Sequence, residues 1–145
     1  MITRFIDEYR WLSNFVPVEV EFEGVKYSSV EHAYQAAKSE DPEWREFCAT
    51  ELSPGKIKRG SRRIEIREDW LQIRVDVMRQ LLAQKFIQEP YKTLLLETGD
   101  TPLTEGNTWG DTFWGVDLET GEGDNVLGNL IMDIRRAVKT LAVEI

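Results

Sequence analysis

The apolar positions along this chain change period several times, and each change predicts an element. Val18-Glu19-Val20-Glu21-Phe22 alternates apolar with acidic at period two, and Glu23-Gly24 can turn the chain back through Val25-Lys26-Tyr27, which predicts a β-hairpin. Helical spacing then dominates. Ser28 followed by Glu31 has the form of a capping box and is expected to open a helix reaching about Lys38. Asp41-Pro42 and Ser53-Pro54 each offer an N-cap followed by proline at the first helical position, so two short helices are predicted, the second closed by Gly60. Leu71, Val75, Met78, Leu81, Leu82 and Phe86 recur at helical spacing, predicting a core-lining helix from about Asp69 to Gln88, before Pro90. A short helix around Tyr91 to Leu96 and a closing helix from Asn125 to about Leu141 complete the map. Trp11, Trp44 and Trp70 are the expected aromatic anchors.

Composition narrows this picture. At 145 residues, with no repeat, low-complexity segment or linker, the chain suits one compact α+β domain over residues 1–145. The 18 Lys and Arg against 26 Asp and Glu give a net charge of −8, which argues against broad binding of a phosphate backbone or an anionic membrane. The longest apolar runs, such as Leu94-Leu95-Leu96, fall far short of a membrane span. One cysteine, Cys48, cannot form an internal disulfide, and no charged leader precedes Phe5; a reducing, cytoplasmic setting is expected. One histidine and one cysteine leave little material for a transition-metal site, so no metal and no cofactor are expected. The chemistry must then rest on carboxylates, lysines, amides, tyrosines and backbone.

Three segments concentrate such groups. The stretch from Glu105 to Gly115 packs carboxylates, an amide, aromatic rings and glycines together, as a ligand-binding loop would, or as a glycine-punctuated turn with Asx turns would. Glu31, Gln35 and Lys38 lie on one helical stripe with Tyr34 beside them, and Ala33, Ala36 and Ala37 permit close packing. That stripe is either solvated or presented to a cleft. Gly121-Glu122-Gly123-Asp124-Asn125-Val126-Leu127-Gly128 leads into the last helix and either holds an anion at the helix start or simply caps and turns it. Lys56, Lys58, Arg59, Arg62 and Arg63 form a basic run that suits a phosphate or a solvated helix end.

These segments also carry a resemblance. Trp11-Leu12-Ser13-Asn14-Phe15, Val30-Glu31-His32-Ala33-Tyr34-Gln35-Ala36-Ala37-Lys38, Lys85-Phe86, Leu95-Leu96-Glu97-Thr98-Gly99-Asp100, the Glu105 to Gly115 loop, and Gly123-Asp124-Asn125-Val126-Leu127-Gly128 with Arg135 downstream together resemble the NADAR family, also called YbiA-like proteins. The resemblance spans nearly the whole chain. It implies a compact α+β single domain, predominantly helical with a small antiparallel β component, and an N-glycosidase activity. One branch of the family is associated with phosphoribosylamino-pyrimidine intermediates of riboflavin biosynthesis, another with removing ADP-ribose from guanine in nucleic acid. The implied partner is a small phosphoribosyl or ADP-ribosyl substrate, with nucleic acid only as a modified-base substrate. A binding module without turnover is the non-enzymatic alternative.

The residues suit that chemistry. Breaking a C1′–N bond develops positive charge on ribose, so a carboxylate would stabilise it or activate water while an acid assists the departing amine. Glu31, Glu105 and Asp111 are the candidate carboxylates. Lys38 or Lys85 could instead act as an amine nucleophile on ring-opened ribose. Glu31 and Lys38 are expected nearest the sugar, with Asp111 orienting or acting as acid or base. Trp109, Trp114 or Phe15 would stack on the leaving ring, and Tyr34 and Gln35 would line the site. Ser13, Asn14, Asn107 and Asn125 would hydrogen-bond ribose and base edges, while Gly123 and Gly128 shape backbone around the ligand. Each has a structural alternative: Glu31 as a cap, His32 as a packed residue, Lys85 as a snorkelling side chain.

Overall fold

The protein is described by a computed structural model over residues 1–144. Its contacts divide into two compact units, Asn14–Lys85 on one hand, Met1–Ser13 with the chain from Phe86 onward on the other.

The first unit opens with the hairpin. Strands β1 (Val20–Phe22) and β2 (Val25–Tyr27) pair antiparallel with Phe22 opposite Val25. Glu23 and Gly24 both take positive φ, 47° and 83°, the two-residue turn that matches strand twist. The strand is shorter than its alternating pattern, although the Val18 N–H still donates to the Ser28 carbonyl at 3.0 Å. Helices α1 (Val30–Ala37), α2 (Pro42–Thr50) and α3 (Pro54–Gly60) follow. Asp41 accepts from the Glu43 N–H and Ser53 from the Lys56 N–H, each ahead of a proline at the helix start. The cap of α1 differs from expectation. Ser29, not Ser28, caps it by accepting from the His32 N–H at 3.1 Å, because in adjacent serines only the one three residues before a free N–H can reach it.

Helix α4 (Trp70–Phe86) closes this unit, which ends at Lys85. Val77, Met78, Leu81, Leu82 and Phe86 are buried, but Leu71, on the same stripe, is 71% exposed and Val75 only half-buried. The apolar stripe therefore runs out of the core toward the start of the helix.

In the second unit, a 3-10 turn at Asp7–Leu12, helix α5 (Tyr91–Glu97) and helix α6 (Val126–Glu144) supply the buried residues Leu12, Leu95, Leu127, Leu130, Ile131 and Ile134. Arg135 is buried on α6 and donates to Thr98 Oγ1 at 2.9 Å, tying α6 to the end of α5. Strands β3 (Gly106–Asn107) and β4 (Val116–Asp117) pair in parallel, so the β component is not wholly antiparallel. No helix among the described residues is long and apolar enough to cross a membrane.

Candidate functional site

Helix α1 is buried along its whole length, which is unusual for a helix carrying a glutamate, a histidine and a glutamine. Each polar group has a specific arrangement. Glu31 Oε1 accepts from Gln35 Nε2 at 2.7 Å, one turn along the helix, so Glu31 is held by an amide rather than serving as a cap. Its backbone N–H donates to the Asn14 carbonyl at 3.1 Å, which fixes the preceding segment against the helix start. The Gln35 carbonyl accepts from Trp44 Nε1 at 2.8 Å.

Two acceptors here are left over. Gln35 Oε1 and Asn14 Oδ1 are both buried and neither has a hydrogen-bond partner. The orientation of the Gln35 amide is fixed, because only its nitrogen can donate to the Glu31 carboxylate. Asn14 Nδ2 faces the Met78 sulfur at 3.5 Å, a weak acceptor. A buried acceptor left without any donor costs about 1–3 kcal/mol, and a water molecule or a ligand hydroxyl is the kind of donor that removes that cost.

Lys38 follows at the C-terminal end of α1, half-buried, with Nζ 5.5 Å from the Tyr34 ring centre. Burial holds its ammonium below the ordinary lysine range; Glu31 pulls the other way and Lys58 pushes it further down. Tyr34 packs against Trp70 with centroids 5.1 Å apart. Lys58 Nζ lies 5.8 Å from the ring centre of half-buried Phe15. One carboxylate, two lysines and two aromatic faces are thus gathered in this unit. In the sequence Lys58 stands only within the basic run, and no local pattern signals its effect on Lys38.

Lys85, on α4, is fully buried, and desolvation drives its pKa down to about 7. It does not reach solvent, so the snorkelling alternative is corrected. His32 is used structurally. Its Nε2–H donates to the Glu51 carbonyl at 2.8 Å, leaving Nδ1 to accept from the Ser29 hydroxyl at 2.6 Å. Cys48 is buried and its thiol is pushed up to about 12, which leaves no thiolate for chemistry near neutral pH.

The loop residues of the other unit form a different network. Asn107, fully buried, donates from Nδ2 to Glu105 Oε2 at 3.1 Å and to the Asp111 carbonyl at 2.9 Å, and its Oδ1 accepts from the Asp111 N–H at 3.0 Å. Asp111 Oδ1 accepts from the backbone of Phe113 and Trp114 at 3.1 and 2.9 Å. Asn125 spends both ends of its amide on the chain, accepting from the Glu105 N–H and donating to the Leu103 carbonyl, each at 2.9 Å. The close approaches permitted by Gly123 and Gly128 are to the protein itself: a Cβ on Gly123 would strike the Gly115 carbonyl, and one on Gly128 the Leu103 carbonyl. Phe113 and Trp114 stack edge to face at 4.9 Å, Trp109 is 62% exposed, and Ser13 ends the 3-10 turn by donating its N–H to the Arg10 carbonyl at 2.8 Å. Among the described residues no group of three or more His, Cys, Asp or Glu converges as a metal site.

The structure therefore brings Glu31, Gln35, Lys38, Tyr34, Asn14 and Phe15 together in one unit, and Glu105, Asn107, Asp111, Trp114, Asn125 and Gly128 in the other. A family model described as the NADAR domain matches residues 3–139. The chain is 37% identical over 136 residues to the riboflavin biosynthesis protein VVA0006 of Vibrio vulnificus, covering 92% of this chain but 36% of that one. It is 35% identical over 141 residues to the N-glycosidase YbiA of Escherichia coli, covering 95% and 85% of the two chains. The NMR structure of E. coli YbiA superimposes with a TM-score of 0.84 at 32% identity, over 96% of this chain and 83% of that one.

Proposed function

The chain belongs to the NADAR domain family, and from that premise we propose that it is an N-glycosidase cleaving the C1′–N bond between a base-like amine and a phosphorylated ribose. Its substrates in this reading are phosphoribosylamino-pyrimidine intermediates of riboflavin biosynthesis. The observation that carries it is the buried Glu31–Gln35 pair beside Lys38, with Gln35 Oε1 and Asn14 Oδ1 unpartnered. The acceptors suit ribose hydroxyls, and the carboxylate suits a sugar gaining positive charge.

The steps follow from these groups. Glu31, kept in place by the Gln35 amide, takes a proton from water as the water oxygen bonds to C1′. The C1′–N bond breaks with its electron pair staying on nitrogen, and the Lys38 ammonium gives that nitrogen a proton. Burial makes Lys38 a readier acid than an ordinary lysine. Proton return from Glu31 to Lys38 resets the site, and the products are the free amine and the ribose phosphate. Phe15 and Tyr34 supply flat surfaces for the base.

A second route has its own observation. With a pKa of about 7, Lys85 holds a neutral amine fraction at neutral pH, as a nucleophile requires. In that route the lysine nitrogen adds at C1′ of the ring-opened sugar, the base amine leaves with the electrons of its C1′–N bond and a proton, and water cleaves the resulting imine.

The test is release of free pyrimidine and ribose phosphate from a phosphoribosylamino-pyrimidine by the purified protein, with ADP-ribosylated guanosine DNA as the competing substrate. Release from the pyrimidine is expected; release from neither substrate overturns the reading. Borohydride added during turnover separates the routes. A protein–sugar adduct that is lost in Lys85→Met or Lys38→Met supports the amine route, and its absence supports activated water.

A further inference from the structure

We propose that the face of α3 and the following 3-10 turn carrying Lys56, Arg59 and Arg63 is a phosphate-binding site, separate from the groups on α1. These three side chains and Gly60 line a cavity of about 260 Å³. The lining holds three cations and no carboxylate, in a chain whose net charge is −8. Among the described residues none of the three forms an ion pair. The larger groove that shares Arg63, about 830 Å³, shows the ordinary alternative: there Arg67 is answered by Glu40 at 3.3 Å and Asp69 at 2.6 Å, with Asp41, Glu65 and Glu68 also in the lining.

Magnitudes decide what the small cavity lacks. Cations gather favourably at a helix C-terminus, but that end offers only about half a negative charge. Only Arg59 of the three lies in the last turn of α3, while Lys56 is in its first turn and Arg63 in the following 3-10 turn, so roughly two and a half positive charges stay uncompensated, and a phosphate monoester carries about −1.5 to −2 at pH 7. Arginine forks also fit phosphate oxygens two at a time, which a solvated helix end does not require. The backbone under the cavity is firm. A Cβ on Gly60 would meet the Trp44 ring at 3.4 Å, and Trp44 is itself held by its hydrogen bond to the Gln35 carbonyl. Lys58, two residues from Lys56, faces Phe15 instead and is not part of this site. The ligand is a phosphate group, carried by a small phosphoester or by the end of a nucleic-acid strand.

Calorimetric titration of the full chain with pyrophosphate, and separately with a short single-stranded DNA bearing a 5′-phosphate, tests this without any need for turnover. The combined variant Lys56→Gln, Arg59→Gln, Arg63→Gln is compared with a charge-matched control, Arg10→Gln, Lys26→Gln, Arg136→Gln, and thermal unfolding reports whether each folds. Pyrophosphate is expected to bind the unaltered protein, with affinity falling at least about tenfold in the cavity variant and staying within about twofold in the control. Should the triple variant fail to fold, Arg59→Gln alone gives the same readout at about threefold. Tighter binding of the DNA than of pyrophosphate names a strand as the source, and the reverse names a small phosphoester. No binding to the unaltered protein, or equal weakening in variant and control, overturns the site. Failure here leaves the N-glycosidase reading intact, because that reading is tested by base release.

Discussion

The α1 region and the Glu105 to Asn125 loop offer equally suspicious residue types, yet they use them in opposite ways. In the loop, Asn107, Asp111 and Asn125 direct their side chains at neighbouring backbone, and the network closes on itself. On α1, a carboxylate is buried with one amide donor, and two buried acceptors nearby have none. A satisfied polar network stiffens a fold, whereas an unsatisfied one holds free energy that a ligand can recover. In the proposed mechanism the loop is therefore scaffold and the helix carries the chemistry.

The sharpest way to break this assignment is Glu31→Gln. The amide still accepts from Gln35, so folding should be preserved, but the proton acceptor is gone. Base release is expected to fall at least about a hundredfold, with the thermal transition little moved. A near-normal rate would return Glu31 to a structural role.

Lys85 tests whether the same unit sacrifices stability for chemistry. Its pKa falls from 10.5 in an ordinary lysine to about 7 when buried, so between those values the unfolded chain binds more protons than the folded one. Stability from this group therefore rises with pH from about 7 to about 10.5, and below 7 its full cost is present. Lys85→Met removes that cost. Denaturant titration should show the variant's stability relative to the unaltered protein falling as pH rises from about 7 to about 10.5. A gain that is flat with pH would mean the amine is not the source.

How much of this was legible in the sequence depends on the range of the interactions involved. The starts of α2 and α3 were readable because Asp41-Pro42 and Ser53-Pro54 act within one turn. The hairpin was readable because Glu23-Gly24 and the alternating strands agree. Ser28 and Ser29 are chemically identical candidates, and only the turn geometry chose between them. Leu71 lies on the predicted stripe, but periodicity gives a face, not how far along the helix its neighbour extends. The family resemblance named Asn14, Gln35, Asn107 and Asn125 alike as binding residues. Gln35 and Asn107 find partners within four residues, at Glu31 and at Glu105 and Asp111, whereas the partners of Asn14 and Asn125 are distant in sequence and no local pattern encodes them.

In the loop, Asp111→Ala removes the acceptor for two backbone N–H groups and should cost about 1–2 kcal/mol of stability. Asp111→Asn keeps an acceptor oxygen there and should cost less, with base release within about threefold of the unaltered protein if the group is not an acid or base. A hundredfold loss in Asp111→Asn with an unchanged thermal transition would erase the contrast between the regions.

Trp109 should respond least. Its ring is 62% exposed, so truncation to alanine uncovers little apolar surface that folding had removed from water, and substitutions at such positions usually move stability by no more than about 0.5 kcal/mol. The loop around it is held by the side-chain hydrogen bonds of Asn107, Asp111 and Asn125. Trp109→Ala is therefore expected to leave both the denaturation midpoint and kcat essentially unchanged. KM is the informative quantity, because base–aromatic stacking is worth about 1–3 kcal/mol per ring and would appear there without touching kcat. An unchanged KM keeps the loop a scaffold, while a tenfold rise at unchanged stability would make this exposed ring the loop's one contribution to recognising the substrate.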